Sequence, residues 1–206
     1  MKNDIHFWMA TLLRGALALV IGSAVMVIPD MSRTLLLMPF AVAFSILCLA
    51  AYGVLDSAIV FVTSFMVPSR AKVALRLQGS VGVVVGVVLF TVVYDQVRLH
   101  WFLYLIAFQA LSAAVTEFIV ARHASSRHAS VWNYAAAAVA LVFMVLYSLA
   151  AVFLGENLLP REAAWLIYGY LAGFGMAQCV TGGRMLYADY QAEEMLQTQA
   201  VDPIGG

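Results

Sequence analysis

Six long apolar stretches dominate this chain of 206 residues. Hydrophobic residues make up 64% of the sequence and charged residues only 11%, whereas about a quarter of the residues in soluble domains are charged. Most of the stretches have the roughly 20 residues that a helix needs to cross a hydrocarbon core, and backbone groups in lipid must bond within their own segment. The sequence therefore predicts an all-α polytopic membrane protein with six transmembrane helices. The stretches cover residues 6–28, 35–67, 73–93, 100–121, 132–154 and 163–183.

Three polar residues recur at a fixed spacing within these stretches. Asp56, Glu117 and Gln178 follow one another at intervals of 61 residues, each near the end of an even-numbered stretch. A period of this kind indicates internal repetition. It predicts a transmembrane domain over residues 1–187 and an acidic tail over 188–206. The domain would contain three helical hairpins, at about 6–67, 72–121 and 132–184.

Small residues form matching stripes in the first and third stretches. The spacing i, i+3, i+7 places each set on one helix face, where small side chains let helices approach closely in lipid. We expect these residues to serve in helix packing. The stripes consist of Gly15, Ala18 and Gly22, and of Gly79, Gly82 and Gly86.

Arg14 and Asp56 are expected to meet within the first hairpin. Each lies about nine residues from the same end of its stretch, which is roughly 13 Å deep at 1.5 Å per residue. A lone charge at the centre of a transmembrane helix costs ~2.5–3.5 kcal/mol. Because pairing reduces that cost, the sequence predicts an Arg14–Asp56 ion pair.

The second hairpin contains a weaker equivalent of this ion pair at the same depth. Gln78 and Glu117 are expected to form a hydrogen-bonded pair, with Arg76 as a charge partner nearer the interface, whereas Gln178 has no evident partner in the fifth stretch. Two interpretations of this intramembrane polar layer stay open. It could bind protons or a solute, or it could consist of satisfied polar pairs that fix the helix register. Glu117 is the better candidate for titration, because Asp56 has an arginine to hold its charge.

Basic residues are unevenly distributed between the two sides of the predicted bundle. Loops rich in Lys and Arg face the cytoplasm, and the richer side includes both termini, so both termini are predicted to be cytoplasmic. The richer side holds Lys2, Arg70, Lys72, Arg76, Arg122, Arg127 and Arg184, and the poorer side holds Arg33, Arg98 and Arg161.

No pattern in the sequence indicates catalysis, a cofactor or a metal. CxxC, HExxH, P-loop and nucleophile-elbow motifs do not occur, and no His, Asp and Glu residues have the spacing of metal ligands. The formal net charge is zero, so no basic patch indicates a nucleic-acid partner. We expect a non-enzymatic protein without a cofactor or metal, with the lipid bilayer as its first partner.

The first hairpin resembles a known family. Residues Trp8 to Gly22 read W-x5-R-G-x6-G, and Pro29 and the Tyr52-Gly53-x2-Asp56 segment follow. The pattern is similar to the repeat of HdeD-type bacterial membrane proteins, which have six helices in three hairpins. The second hairpin keeps the glycines but has Gln78 in place of the arginine, and the third departs further. The resemblance implies a multi-pass protein of the bacterial inner membrane with a role in stress or acid resistance, and it supplies no catalytic residues.

Three functions therefore remain as alternatives. The first is a non-enzymatic stress or acid-resistance protein that acts through membrane packing or protein interaction. The second is an accessory subunit of a larger membrane complex, and the third is a small proton or solute transporter. A transporter needs polar groups on both sides of the midplane, whereas the sequence places its polar layer on one side. The sequence leaves open whether a protein partner would be another membrane protein or a second copy of this chain.

Overall fold

A computed structural model describes residues 4–31, 38–65, 69–92, 99–123, 127–154 and 160–201. Every described segment is helical except for a turn at Ser64 and Phe65. Six of the helices contain spans that are long and apolar enough to cross a membrane, which confirms the predicted all-α polytopic architecture. The helices are α1 (Asp4–Met31), α2 (Met38–Thr63), α3 (Ser69–Val92), α4 (Leu99–His123), α5 (Arg127–Leu149, continued by a π-helical turn at Ala150–Leu154) and α6 (Pro160–Val201).

The six helices form a closed ring. Each helix packs against its two neighbours in chain order, and α1 packs against α6 to close the circle. In the described part of the chain, contacts between successive hairpins are more extensive than contacts within a hairpin. The tightly packed pairs are α2–α3, α4–α5 and α6–α1. Tight and looser helix contacts therefore alternate around the ring, with three of each. Common ancestry of the three hairpins stays a prediction.

The glycine stripes lie at two of these tight interfaces. A Cβ atom added to Gly15 would lie 2.7 Å from the carbonyl oxygen of Gly175 in α6, and one added to Gly79 would lie 2.9 Å from that of Ser57 in α2. Such distances leave no room for a side chain, so α1 and α3 approach their neighbours backbone to backbone. The other stripe residues, Ala18, Gly22, Gly82 and Gly86, contact the same two partner helices.

Large apolar side chains cover the outside of the ring. Val20, Val84 and Phe153 are each more than half exposed, and each points away from the helix neighbours. An outer surface of this kind suits hydrocarbon rather than water. The interior is lined by small residues such as Ala136 and Ala140, which are fully buried.

The sixth helix extends well past the ring. It has 42 residues, about 63 Å at 1.5 Å per residue, and continues through 188–201, the greater part of the predicted acidic tail. We call the end of the bundle at which α1, α3 and α5 begin the near end, and the opposite end the far end. Because α6 leaves the ring at the near end, the N-terminal and C-terminal segments lie on the same side.

Candidate functional site: a buried charge cluster

Arg14 of α1 lies at the centre of a charge cluster that joins three helices. Its Nε lies 2.7 Å from Oδ1 of Asp56 in α2, and its Nη2 lies 3.5 Å from Oδ2 of the same carboxylate. Its Nη1 donates a hydrogen bond of 3.0 Å to Oε1 of Glu117 in α4. The fixed fork of a guanidinium group makes such simultaneous contacts feasible. The predicted Arg14–Asp56 ion pair is therefore confirmed, and the bond to Glu117 is an additional finding.

The charge cluster, defined as Arg14, Asp56 and Glu117, is almost completely buried. The three residues are 6%, 4% and 3% exposed. Two carboxylates thus face one guanidinium, and in the described part of the chain no other cation forms an ion pair with either of them. An uncompensated buried charge is expensive. The cluster therefore has the chemistry to hold one proton, which would make it neutral.

The predicted pairing of Glu117 with Gln78 is wrong. Both amide atoms of Gln78 are buried and have no hydrogen-bond partner among the described residues. The reason lies in how α4 faces α3. Thr116 directs its hydroxyl toward α3, where it donates to the carbonyl oxygen of Ala74 over 3.4 Å. Glu117 is one residue further along, about 100° around the helix, and so points to the middle of the ring.

Arg76 is not a charge partner of Glu117 either. Its guanidinium lies 4.6 Å from the centre of the Phe65 ring, close to the near end of α2 and α3. Among the described residues, the ion pairs of Asp56 and of Glu117 are both with Arg14. Arg76 therefore lies outside the charge cluster.

Gln178 of α6 completes the set of residues spaced by 61. Its side chain is buried beside Glu117, and the two residues line one cavity together with Arg14. Its Nε2 is nevertheless without a partner at hydrogen-bond geometry in the described residues. Asp56, Glu117 and Gln178 thus come together around a single arginine. The sequence predicted a shared depth for them but not this convergence.

The cavity beside Glu117 lies on the axis of the ring, toward the near end. All six helices contribute to its wall, and its volume of about 10 Å³ is room for roughly one water molecule. Asn133 of α5 is 2% exposed and lines this cavity with its Nδ2 unpaired among the described residues. Two unpaired amide donors, from Asn133 and Gln178, therefore border the same small space as the Glu117 carboxylate. Such a space suits a small hydrogen-bond acceptor, water above all.

Sequence reasoning did not single out Asn133. The available signal is its position, since it is a lone amide at the start of an alanine-rich span. Side-chain amides are costly in an apolar segment and need a reason to be there. The wall of six helices shows that this side chain faces the axis rather than lipid.

A second cavity lies on the far side of the charge cluster. Its volume is about 40 Å³, and its lining is mostly apolar but includes Tyr52, Tyr147, Tyr170 and Gln109. The Tyr147 hydroxyl donates to the carbonyl oxygen of Leu166 over 3.1 Å, and Oε1 of Gln109 has no partner in the described segments. Polar groups therefore continue past the cluster, although the sequence indicated a one-sided layer. The tyrosines were not singled out because their rings count as hydrophobic in the composition, although each carries a hydroxyl group.

No group of three or more His, Cys, Asp or Glu side chains that could hold a metal occurs among the described residues. Comparisons of the chain with protein-family models, with curated proteins and with solved structures find no match. The resemblance to HdeD-type proteins therefore stays a prediction.

Proposed function

We propose that this chain is a non-enzymatic protein of the bacterial inner membrane that serves in stress or acid resistance, as in the HdeD-type family it resembles. The observation that supports the proposal is the buried charge cluster, in which two carboxylates share one guanidinium. A cluster with an excess of buried carboxylate is a natural proton acceptor. Packing of the helix ring would thereby respond to acid.

The proposed mechanism has a single proton-binding step. With both carboxylates ionised the cluster carries one negative charge more than its arginine balances, and burial makes that charge costly. In acid a proton on Glu117 would neutralise the cluster, and the joined helices α1, α2 and α4 would pack with less strain. The cavity that borders Glu117 has room for about one water molecule, which would be the immediate proton donor to the carboxylate. The protein would then act through membrane packing or through contact with another protein.

Two features favour this function over an enzyme. The cavities next to the cluster, about 10 and 40 Å³, are far smaller than binding pockets for organic ligands, which typically enclose roughly 300–1,000 Å³. Both carboxylates are also engaged by Arg14, which leaves neither in a position to act on a substrate.

Acid survival tests this proposal. A strain that lacks the protein is compared with the same strain carrying the wild type, Arg14→Gln or Glu117→Gln, with Asp189→Asn as a matched change in the part of α6 beyond the ring. We expect the wild type, Glu117→Gln and Asp189→Asn to restore survival, because glutamine copies the protonated acid. Arg14→Gln should fail. Equal survival with and without the protein would refute the proposal, as would failure of Glu117→Gln at a normal level in the membrane.

A small proton pathway is the second candidate. The observation that favours it is the pair of cavities on opposite sides of the charge cluster, both inside the ring. Proton flux into liposomes that contain the purified chain would test it. Flux that disappears in Glu117→Gln and persists in Asp189→Asn would support the pathway. Flux no higher than in empty liposomes would exclude it.

A further inference from the structure

Two cations on α3 stand apart from the charge cluster. Lys72 and Arg76 are one helical turn apart, and both lie over the ring of Phe65, at 5.8 Å and 4.6 Å from its centre. Contacts of this kind hold a cation in place. The ring itself is positioned by Phe61, whose centre lies 5.6 Å away at an edge-to-face angle.

These cations have no counter-charge in the described part of the chain. Neither forms an ion pair there, and α3 contains no acidic residue. Lys72 is the fourth residue of α3, close to the positive end of the helix dipole, where an additional cation is unfavourable. Nε of Arg76 is moreover buried without a hydrogen-bond partner among the described residues. An unpaired buried donor costs free energy, so the guanidinium group of Arg76 is not fully satisfied by the described residues.

Exposed apolar side chains surround the two cations. Phe65 is 58% exposed, and Val73 and Leu77, which follow Lys72 and Arg76 by one residue, are also exposed. These side chains lie on the outer surface of the ring, toward lipid. The cations are at the near end, where the polar headgroups of one leaflet would be. An anion that occupies this site must therefore be compatible with an apolar surface directly beside it.

We propose that Lys72, Arg76 and Phe65 bind the headgroup of an anionic phospholipid. The phosphate would lie between the two cations and accept hydrogen bonds from the guanidinium group of Arg76 and the ammonium group of Lys72. Its acyl chains would run along α3 over Val73 and Leu77. Arginine and lysine near a membrane surface attract anionic lipids, and Lys72 and Arg76 have the i, i+4 spacing that makes side chains neighbours on one helix face.

Lipid-dependent thermal unfolding of the purified full-length chain tests this site. Phosphatidylglycerol or phosphatidylcholine is added to the protein in mild detergent, and the unfolding temperature is recorded. For the wild type we expect phosphatidylglycerol to give a midpoint about 4–8 °C higher than phosphatidylcholine does. The double variant Lys72→Gln/Arg76→Gln should lose this difference. Arg122→Gln, which removes an exposed cation at the near end of α4, should keep it.

Two further measurements test the role of the Phe65 ring and distinguish a lipid headgroup from free phosphate. Phe65→Leu keeps both charges but removes the ring, so we expect it to reduce the difference between the two lipids without abolishing it. Inorganic phosphate added to the wild type should not raise the midpoint, because it lacks acyl chains. The proposal is overturned if the double variant still distinguishes the two lipids, or if inorganic phosphate reproduces the effect of phosphatidylglycerol.

Discussion

Arg14 binds two carboxylates from different hairpins at the same time. Its pairing with Asp56 was predictable, because helices that follow one another in the chain are neighbours and the two residues lie at one depth. Its bond to Glu117 was not predictable by that reasoning, since α1 and α4 are not adjacent in the ring. The sequence gives depth along each helix reliably, but it does not give the rotation of α4 that turns Glu117 inward.

Glu117 is expected to make the stability of the bundle depend on pH. With both carboxylates ionised the cluster has an excess of negative charge, and a proton would remove it, so the wild type should become more stable as the pH falls below neutral. Glu117→Gln leaves one carboxylate and one guanidinium, which are already balanced. Thermal unfolding in detergent across this range should show a rising midpoint for the wild type and a nearly constant one for Glu117→Gln. The same pH dependence of the unfolding midpoint in the wild type and in Glu117→Gln would contradict this expectation.

Packing between helices is where the sequence was most informative. The two glycine stripes were recognised from their spacing alone, and they do lie at close helix contacts. The partner helices could not be derived, because a stripe of small residues shows that something packs closely but not what. The structure shows that each stripe faces the hairpin that precedes it in the ring, α6 for α1 and α2 for α3.

Gly15→Ala should destabilise the protein by about 1–3 kcal/mol through overpacking. The new methyl group would lie 2.7 Å from the Gly175 carbonyl oxygen and 2.8 Å from the Cys179 backbone nitrogen, and neither atom can move without its helix. Gly183→Ala is the matched control, because a Cβ there meets nothing within 4 Å. It should be neutral or slightly stabilising, since alanine favours a helix over glycine by up to about 1 kcal/mol. Equal unfolding midpoints for the two variants would show that α1 and α6 are not in close contact.

The ring places both ends of the described chain on one side of the bundle. With an even number of spans this follows from the architecture, but which side faces the cytoplasm rests on the distribution of Lys and Arg. The closed circle itself could not be foreseen from sequence, because the contact of α1 with α6 joins the two ends of the chain. Hydropathy identifies spans and says nothing about which of them are neighbours.

Cysteine labelling of intact cells tests the orientation. A membrane-impermeant maleimide should modify Arg161→Cys, at the exposed far-end start of α6, when it is added from outside. Asp189→Cys, on the part of α6 beyond the near end, should react only after the membrane that holds the protein is permeabilised. Wild-type protein provides the background from Cys48 and Cys179, which lie within spans. The opposite labelling pattern would reverse the predicted orientation.

The structure indicates that Arg14 balances two carboxylates rather than one. Arg14→Gln should lower stability by about 3–5 kcal/mol, since it leaves both carboxylates buried without a cation. Unfolding midpoints are then measured for Arg14→Gln alone, for the two double variants that combine it with Asp56→Asn or with Glu117→Gln, and for the triple variant. If Glu117 belongs to the cluster, each neutralisation should restore part of the lost stability, and the triple variant should be the most stable of the series. Full recovery with Asp56→Asn alone, and no further gain from Glu117→Gln, would contradict the claim.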